Sequence, residues 1–156
     1  MPPRFRIMNE DDAESVSALI HLAFQQFIAD TYTARGIKHF RKNTSKQAML
    51  RRKLKNQLIV VAEADDKISG MIAVRKGNHI TLLFVAPEFH RTGIGTLLFQ
   101  DALNHMKATM PDLRTVTVNS SQYALPFYTR LGFTVKRSAY LHKGMKITPM
   151  ELLLLS

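Results

Sequence analysis

Residues 82–96 hold the pattern that most restricts how this chain can fold: an apolar run, a proline, a short loop and two glycines at the start of a helical repeat. Pro87 ends the apolar strand because its nitrogen cannot donate to a strand ladder. Gly93 and Gly95 let the backbone approach a ligand where the first N–H groups of a helix lack partners and the helix dipole favours negative charge. Arg91 adds charge-assisted donors. The pattern therefore predicts a loop that binds a diphosphate.

Two other phosphate-binding loops are excluded by the residues that follow the glycines. A P-loop needs Gly-Lys followed by Ser or Thr, and Gly95 is followed by Thr96 and Leu97. A dinucleotide-binding fingerprint needs a third Gly or Ala at the position where Leu98 stands. The alternative that remains is a tight strand-to-helix turn that binds nothing.

The rest of the chain predicts one mixed α/β domain spanning residues 1–156. Its length is that of a single domain, and a hydrophobic fraction of 46% is enough for a packed core. Strands at both ends of the chain with helices between them favour one mixed sheet flanked by helices. Strands are predicted at residues 4–8, 58–63, 68–75, 79–85, 114–118, 133–141 and 146–155, helices at 13–28, after Ser45, from 93 to about 110 and at 122–131, and a loop at 31–36.

Several classes of protein are disfavoured by what the sequence lacks. With no cysteine, the chain has no disulfide scaffold, Cys-ligated zinc or thiol nucleophile. Its six histidines show no metal-ligand spacing, and it has no Gly-x-Ser-x-Gly motif, so we expect neither a metal site nor acyl-serine chemistry. The N-terminus lacks the apolar core of a signal peptide, and no apolar run approaches the roughly 20 residues that cross a bilayer. We therefore expect a soluble, cytoplasmic protein with no membrane partner.

A second motif, at residues 124–133, places Tyr128 four residues before Gly132-Phe133. Together with the glycine loop, this motif resembles the GNAT superfamily of N-acetyltransferases. The acetyl-CoA motif of that family, Arg/Gln-x-x-Gly-x-Gly/Ala, is matched by residues 90–95 except at its first position, where His90 stands. The two motifs and the predicted elements follow the order of the family, so the resemblance extends over nearly the whole chain.

The resemblance implies a splayed mixed β-sheet flanked by helices, with acetyl-CoA as cosubstrate and no metal. In this family the pantetheine arm lies between the fourth and fifth strands, where it pairs with strand-end backbone, and the diphosphate rests on the glycine loop. An Asn that contacts the cofactor in many members corresponds to Ser121 or Asn119. The residues implied for cofactor binding are Leu83, Phe84, Val85, Arg91, Thr92, Gly93, Ile94, Gly95, Thr96, Asn119 and Ser121.

The implied reaction is direct transfer of acetyl from acetyl-CoA to a primary amine of a small molecule or peptide, with no covalent enzyme intermediate. Tyr128 is the implied general acid for the departing thiolate, and His79, early in the fourth strand, is the candidate base. Each residue also has a simpler interpretation, Tyr128 as a half-buried helix aromatic and His79 as a solvated residue after a turn. The identity of the acceptor amine stays open at this point.

The basic segment, residues 35–55, contains nine Lys or Arg side chains and no acidic one, on a chain with a net charge of +10. One interpretation is a solvated helix face. Another is an acceptor wall whose positive charge favours amino-acid-like or acidic-peptide acceptors over polyamines. A third is a non-catalytic nucleic-acid or ribosome-associated protein, although only Phe40 supplies an aromatic ring for stacking. A family member that binds CoA without transferring acetyl, and a homodimer, are also compatible with the sequence.

Overall fold

The computed structural model describes residues 2–155, and in them eight strands form one mixed sheet with helices on both faces. The sheet order is β1-β2-β3-β4-β5-β8-β6, with β7 paired to β8 beside this path. The predicted mixed sheet flanked by helices is confirmed. The strands are β1 (Arg4–Ile7), β2 (Leu58–Ala64), β3 (Lys67–Arg75), β4 (His79–Val85), β5 (Thr115–Ser120), β6 (Thr134–Val135), β7 (Tyr140–His142) and β8 (Met145–Leu153), and the helices are α1 (Ala13–Phe27), α2 (Ala34–Asn43), α3 (Lys46–Leu54), α4 (Ile94–Thr109) and α5 (Leu125–Leu131).

The side chains of the central strands alternate between two hydrophobic cores, one on each face of the sheet. Ile59 and Val61 belong to the core that α1 and α3 cover, whereas Val60 belongs to the core under α4 and α5. Successive side chains of a strand point to opposite faces, which produces this alternation. Within residues 2–155, no helix combines the length and the apolar character that crossing a membrane requires.

One irregularity in β4 decides the shape of the centre of the sheet. Ala73 of β3 pairs with Leu82, and Val74 pairs with Ile80, so Thr81 is an extra residue without a partner in β3. Such an extra residue is a β-bulge, which bends its strand and increases the local twist.

The neighbouring strands β4 and β5 run parallel and pair over only two residues of each strand. The pairs are His79–Thr117 and Ile80–Val118, and pairing ends immediately before the bulge. Because the bulge bends β4, the strand turns away from β5 beyond this point. The result is a V-shaped opening in the sheet, so the splayed sheet that the resemblance implied is confirmed.

The bulge is held by Arg52, which reaches it from α3. Nη1 of Arg52 donates to the hydroxyl of Thr81 at 3.1 Å, and Nη2 donates to the carbonyl of Asn43 at 3.2 Å. The Thr81 hydroxyl in turn donates to the carbonyl of Ala73 at 3.3 Å. Burial of the guanidinium, with a smaller contribution from nearby Arg75, lowers the pKa of Arg52. One of the nine cations of the basic segment is therefore part of the fold.

The basic segment forms two helices, where the sequence predicted one. The loop predicted to lead into it is wrong from Ala34 onward, because the hydroxyl of Thr33 caps α2 by accepting the N–H of Gly36 at 3.1 Å. The helix was not predicted because it carries only two large apolar side chains, Ile37 and Phe40, among basic residues and next to Gly36. The other helix, α3, begins after Ser45 as predicted.

Two predicted elements in the last third of the chain also differ from the structure. The strand predicted at 133–141 is divided into β6 and β7, because residues 136–139 leave the strand. The helix predicted at 122–131 begins only at Leu125, and Pro126 lies in its first turn, where proline is tolerated. The other predicted strands and helices occur with small shifts of their ends.

Replacement of Arg52 tests whether the guanidinium holds the bulge. We expect Arg52→Met to lower the free energy of unfolding by about 1–3 kcal/mol, because its hydrogen bonds to Thr81 and Asn43 are lost from a mostly buried site. Arg51→Met changes an exposed neighbour and serves as the control, with an expected change within about 0.5 kcal/mol. Urea titrations measure both variants, and equal stabilities would contradict the role given to Arg52.

Candidate functional site

A cleft of about 820 Å³ opens where β4 and β5 separate, a volume within the range of small-molecule sites. Its lining residues include no aspartate or glutamate. Nowhere in residues 2–155 do three His, Asp or Glu side chains come together as metal ligands would. The cleft brings together most of the predicted site residues, namely Leu83, Phe84, Val85, Arg91, Gly93, Ile94, Gly95, Thr96, Asn119, Ser121 and Tyr128.

The two glycines of the loop are required for different reasons. Gly93 has φ +86°, a left-handed conformation that side chains rarely adopt, although a Cβ at this position would meet open space. Gly95 lies in the first turn of α4, where a Cβ would approach the ring of Phe127 at 3.2 Å and Val85 at 3.6 Å. Gly93 thus allows the turn of the loop, and Gly95 keeps space clear between α4 and the cleft.

The loop presents an uninterrupted row of backbone donors. Within residues 2–155, the N–H groups of residues 91–96 have no hydrogen-bond acceptor. The first N–H of α4 that has one belongs to Leu97, which donates to the Gly93 carbonyl at 3.1 Å. Arg91 is exposed beside this row, in a left-handed conformation with φ +64°. Consecutive free donors at the positive end of a helix dipole suit a diphosphate better than a single anionic group.

The edge of β4 that faces β5 has no strand partner beyond Ile80 within residues 2–155. Leu83, Phe84 and Val85 line the cleft there, while β3 pairs with them on the opposite edge. Backbone groups on such a free edge can pair with an extended ligand as they would with another strand. One of these groups already has a partner, because the carbonyl of Val85 accepts a hydrogen bond from Nε2 of His90 at 2.8 Å.

Tyr128 lines the cleft from α5 while remaining only 4% exposed. Its ring packs edge-on against Phe127 and Phe133, with ring centroids 5.2 and 5.3 Å away. Burial raises the pKa of Tyr128 above its ordinary value, because a low-dielectric environment disfavours the phenolate. The hydroxyl therefore keeps its proton throughout the neutral pH range and is available as a hydrogen-bond donor.

His79 does not line the cleft and lies in the part of β4 that still pairs with β5. Its Nδ1 is 2.7 Å from the hydroxyl of Thr117, its pairing partner. Burial, with smaller contributions from Arg75 and Lys76, lowers the pKa of His79, so the imidazole is neutral near pH 7. The structure does not bring His79 together with Tyr128, and a role for His79 in proton transfer would need intervening water.

Three other predicted residues differ in how their side chains are used. Thr92 does not line the cleft, and its hydroxyl donates to the carbonyl of Phe89 within the loop. The hydroxyl of Ser121 accepts the N–H of Ala124 at 3.2 Å, which stabilises the turn before α5. Asn119 is exposed at the end of β5 and faces the cleft. Of the two alternatives for a side-chain contact to the cofactor, Asn119 is therefore the better placed.

An aromatic stack that the sequence did not predict lines one wall of the cleft. The ring of Phe27, at the end of α1, lies 4.7 Å from the ring of His90 and 4.7 Å from that of Tyr123. The Tyr123 hydroxyl is 3.3 Å from Nδ1 of His90. Nε2 of His90 donates to the Val85 carbonyl, because a carbonyl oxygen can only accept, and Nδ1 is the ring nitrogen that faces the Tyr123 hydroxyl. His90 thus joins α1, the end of β4 and the segment before α5.

The basic segment does not present all its cations on one surface. Arg52 is bound to Thr81, and Nζ of Lys53 donates to the carbonyl of Met8 at 2.8 Å. These two cations stabilise the fold, so the interpretation as a solvated face applies only to the others. The exposed cations of the segment are Arg35, Lys38, Arg41, Lys42, Lys46, Arg51 and Lys55.

Comparison with known sequences adds a family and two relatives. The family described as Acetyltransferase (GNAT) domain matches residues 28–154. Peptidyl-lysine N-acetyltransferase YiaC of Escherichia coli (strain K12) is 31% identical over 80 residues, which are 51% of this chain and 52% of the relative. Peptidyl-lysine N-acetyltransferase YjaB of the same organism is 30% identical over 77 residues, 49% of this chain and 48% of the relative. The chain spans about half the length of these curated relatives.

Two solved structures share the fold over almost their full length. A GCN5-related N-acetyltransferase from Rhodopseudomonas palustris is 23% identical with a TM-score of 0.82, covering 99% of this chain and 97% of that one. The PaiA N-acetyltransferase from Thermoplasma acidophilum, in complex with coenzyme A, is 21% identical with a TM-score of 0.81, covering 99% and 100%. At these identities the likeness establishes the fold alone.

Proposed function

The chain belongs to the family of GNAT acetyltransferases, and we propose that it transfers an acetyl group from acetyl-CoA directly to a primary amine. The observation that supports this most is the meeting, in one cleft, of free backbone donors, an open strand edge and a protonated tyrosine. These features correspond to three parts of acetyl-CoA: the diphosphate, the amides of the pantetheine arm and the thioester.

In this proposal the N–H groups of residues 91–96 bind the diphosphate, and the backbone of residues 83–85 pairs with the pantetheine arm. A hydrogen bond to a charged group contributes about 1.5–3 kcal/mol, whereas one exposed helix end contributes about 0.3–1 kcal/mol through its dipole. The N–H groups therefore dominate the binding of the diphosphate. Arg91 adds a positive charge beside them, and Asn119 supplies an amide near the pantetheine arm.

Tyr128 is the proposed acid in the transfer. Bound acetyl-CoA supplies the thioester that the neutral amine attacks, and the Tyr128 hydroxyl donates a hydrogen bond to the sulfur as the carbon–sulfur bond breaks. The ordinary pKa of a thiol, about 8.5, lies below the raised pKa of Tyr128. The hydroxyl therefore acts mainly by stabilising the negative charge that develops on sulfur, rather than by giving up its proton early.

The amine must lose its proton before it can attack, and His79 is the proposed acceptor of that proton. The imidazole of His79 is neutral near pH 7, as a base must be, because burial lowers its pKa. Since His79 does not line the cleft, the proton would reach it through water. No carboxylate among the residues that line the cleft competes for this role.

A peptide amine is the proposed acceptor, with a small-molecule primary amine as the alternative. Both curated relatives are peptidyl-lysine N-acetyltransferases, which supports a lysine side chain of a peptide. The nucleic-acid alternative loses two of the nine cations on which it depends, because Arg52 and Lys53 are used inside the fold. The homodimer and the cytoplasmic location stay predictions.

Substitution of the loop glycines tests the proposed binding of acetyl-CoA. We expect Gly93→Ala and Gly95→Val to weaken binding about tenfold or more, because the first strains a residue at φ +86° and the second adds a side chain against Phe127. Gly77→Ala is the control for backbone strain, since Gly77 has φ +82° in a turn outside the cleft, where the added methyl must also displace the flexible side chain of Met110. Calorimetry on folded variants measures the affinity, and unchanged binding in both loop variants would exclude this loop as the site.

Removal of one hydroxyl tests the proposed acid. Tyr128→Phe should lower kcat roughly 10²–10⁴-fold and leave the affinity for acetyl-CoA nearly unchanged, because the hydroxyl acts on charge that develops during transfer. Tyr140→Phe removes a hydroxyl from β7, outside the residues that line the cleft, and should keep the wild-type kcat. A steady-state assay of thiol release gives kcat and KM, and a wild-type kcat for Tyr128→Phe would exclude it as the acid.

A further inference from the structure

The turn between β7 and β8 is clamped onto the first turn of α2. The N–H and the hydroxyl of Thr33 both donate to the carbonyl of Gly144, at 2.9 and 3.2 Å. A Cβ at Gly36 would overlap that carbonyl, and a Cβ at Gly144 would overlap the Thr33 hydroxyl. The start of α2 and the turn at Gly144, which are 111 residues apart in sequence, are therefore in direct backbone contact with no space for a side chain between them.

This contact of Thr33 and Gly36 with Gly144, called the clamp below, brings positively charged residues of both segments together. The bonds between Thr33 and Gly144 bring His142 and Lys143 next to the start of α2, the helix that also carries Arg35, His39 and Lys42. Burial lowers the pKa of His39, with smaller contributions from Lys143, His142, Arg35 and Lys42. These four are exposed, and His39 is half-buried. In the part of the chain that the structure describes, no carboxylate forms an ion pair with any of the five. We call these five residues the α2 patch.

The helix that bears most of the α2 patch also contributes to the lining of the cleft. Tyr32, immediately before α2, and Phe40, within it, both line the cleft. Phe40 stacks on the buried ring of Phe24 with centroids 4.1 Å apart, which fixes α2 against α1. The helix that lines the cleft with Phe40 therefore also bears three of the five residues of the α2 patch. An extended acceptor that reaches the cleft past α2 would lie beside these charges.

We propose that the α2 patch binds acidic residues that flank the acetylated amine in a peptide acceptor, an inference that rests on the proposed acetyl transfer. Opposite charge attracts such a segment, whereas polyamines and lysine-rich segments are repelled. A nucleic acid would be attracted by the same charge, but a peptide amine has in addition a place to react, because α2 also lines the cleft. The preferred acceptor is thus an amine within an acidic peptide.

Three peptides, each with one central lysine flanked by glutamate, glutamine or arginine, test this preference. For the wild type, kcat/KM for the Glu-flanked peptide should exceed that for the Gln-flanked peptide about fivefold or more at low salt, and the ratio should approach one at high salt. The double variant Arg35→Gln, Lys143→Gln should bring the ratio close to one at low salt. The control Lys46→Gln, Lys55→Gln removes two exposed cations outside the α2 patch and should keep the wild-type ratio.

Binding of the same peptides without acetyl-CoA, followed by fluorescence anisotropy, separates this inference from the proposed function. If the Glu-flanked peptide binds selectively, the first double variant loses this binding and no peptide is acetylated, acetyl transfer to peptide lysines would be rejected and acidic docking supported. Equal binding and equal kcat/KM for the Glu-flanked and Gln-flanked peptides would overturn the inference. A ratio of kcat/KM for the Glu-flanked and Gln-flanked peptides that stays at the wild-type value in Arg35→Gln, Lys143→Gln would also overturn it. The same holds if an RNA oligonucleotide binds more tightly than the Glu-flanked peptide and this variant abolishes the RNA binding.

Discussion

The extra residue in β4, Thr81, is the constraint on which the rest of the structure depends. Without a bulge, β4 and β5 would continue to pair and would use up the backbone groups between them. With the bulge, pairing stops at Ile80–Val118, and the end of β4 faces a cleft. The bond from Arg52 to the Thr81 hydroxyl makes α3 part of this arrangement. A cation that composition alone assigns to the surface thus helps to hold the sheet open.

Burial acts on the two proposed proton carriers in opposite directions. It raises the pKa of Tyr128 and lowers that of His79, because a low-dielectric environment disfavours the charged form of each, the phenolate and the imidazolium. Both groups are therefore neutral near pH 7, Tyr128 as a donor and His79 as a base. Since no carboxylate lines the cleft, its surroundings favour the negative charge of a diphosphate and of a departing thiolate.

The glycine loop could be predicted from the sequence because it depends on short local spacing, such as the turn that Gly93 permits, whereas Tyr128 was found only through the family resemblance of its motif. The bulge and the clamp could not, because contacts between residues far apart in sequence fix them. In the sequence, Thr81 is an ordinary strand residue. Its special position depends on its hydrogen bond with Arg52, which lies 29 positions earlier in the chain. Gly36 looks like a helix-weakening residue until the carbonyl of Gly144 occupies the place of its missing side chain.

Amide-resolved NMR of the ¹⁵N-labelled protein tests most directly whether the free donors of the loop hold the diphosphate. On addition of CoA, the amide resonances of residues 91–96 should move downfield as hydrogen bonds to phosphate form, while those of β1 stay in place. Pantetheine, which has no diphosphate, should move the resonances of residues 83–85 and leave those of the loop unchanged. Loop resonances that do not respond to CoA, or that respond equally to pantetheine, would contradict this account of the cleft.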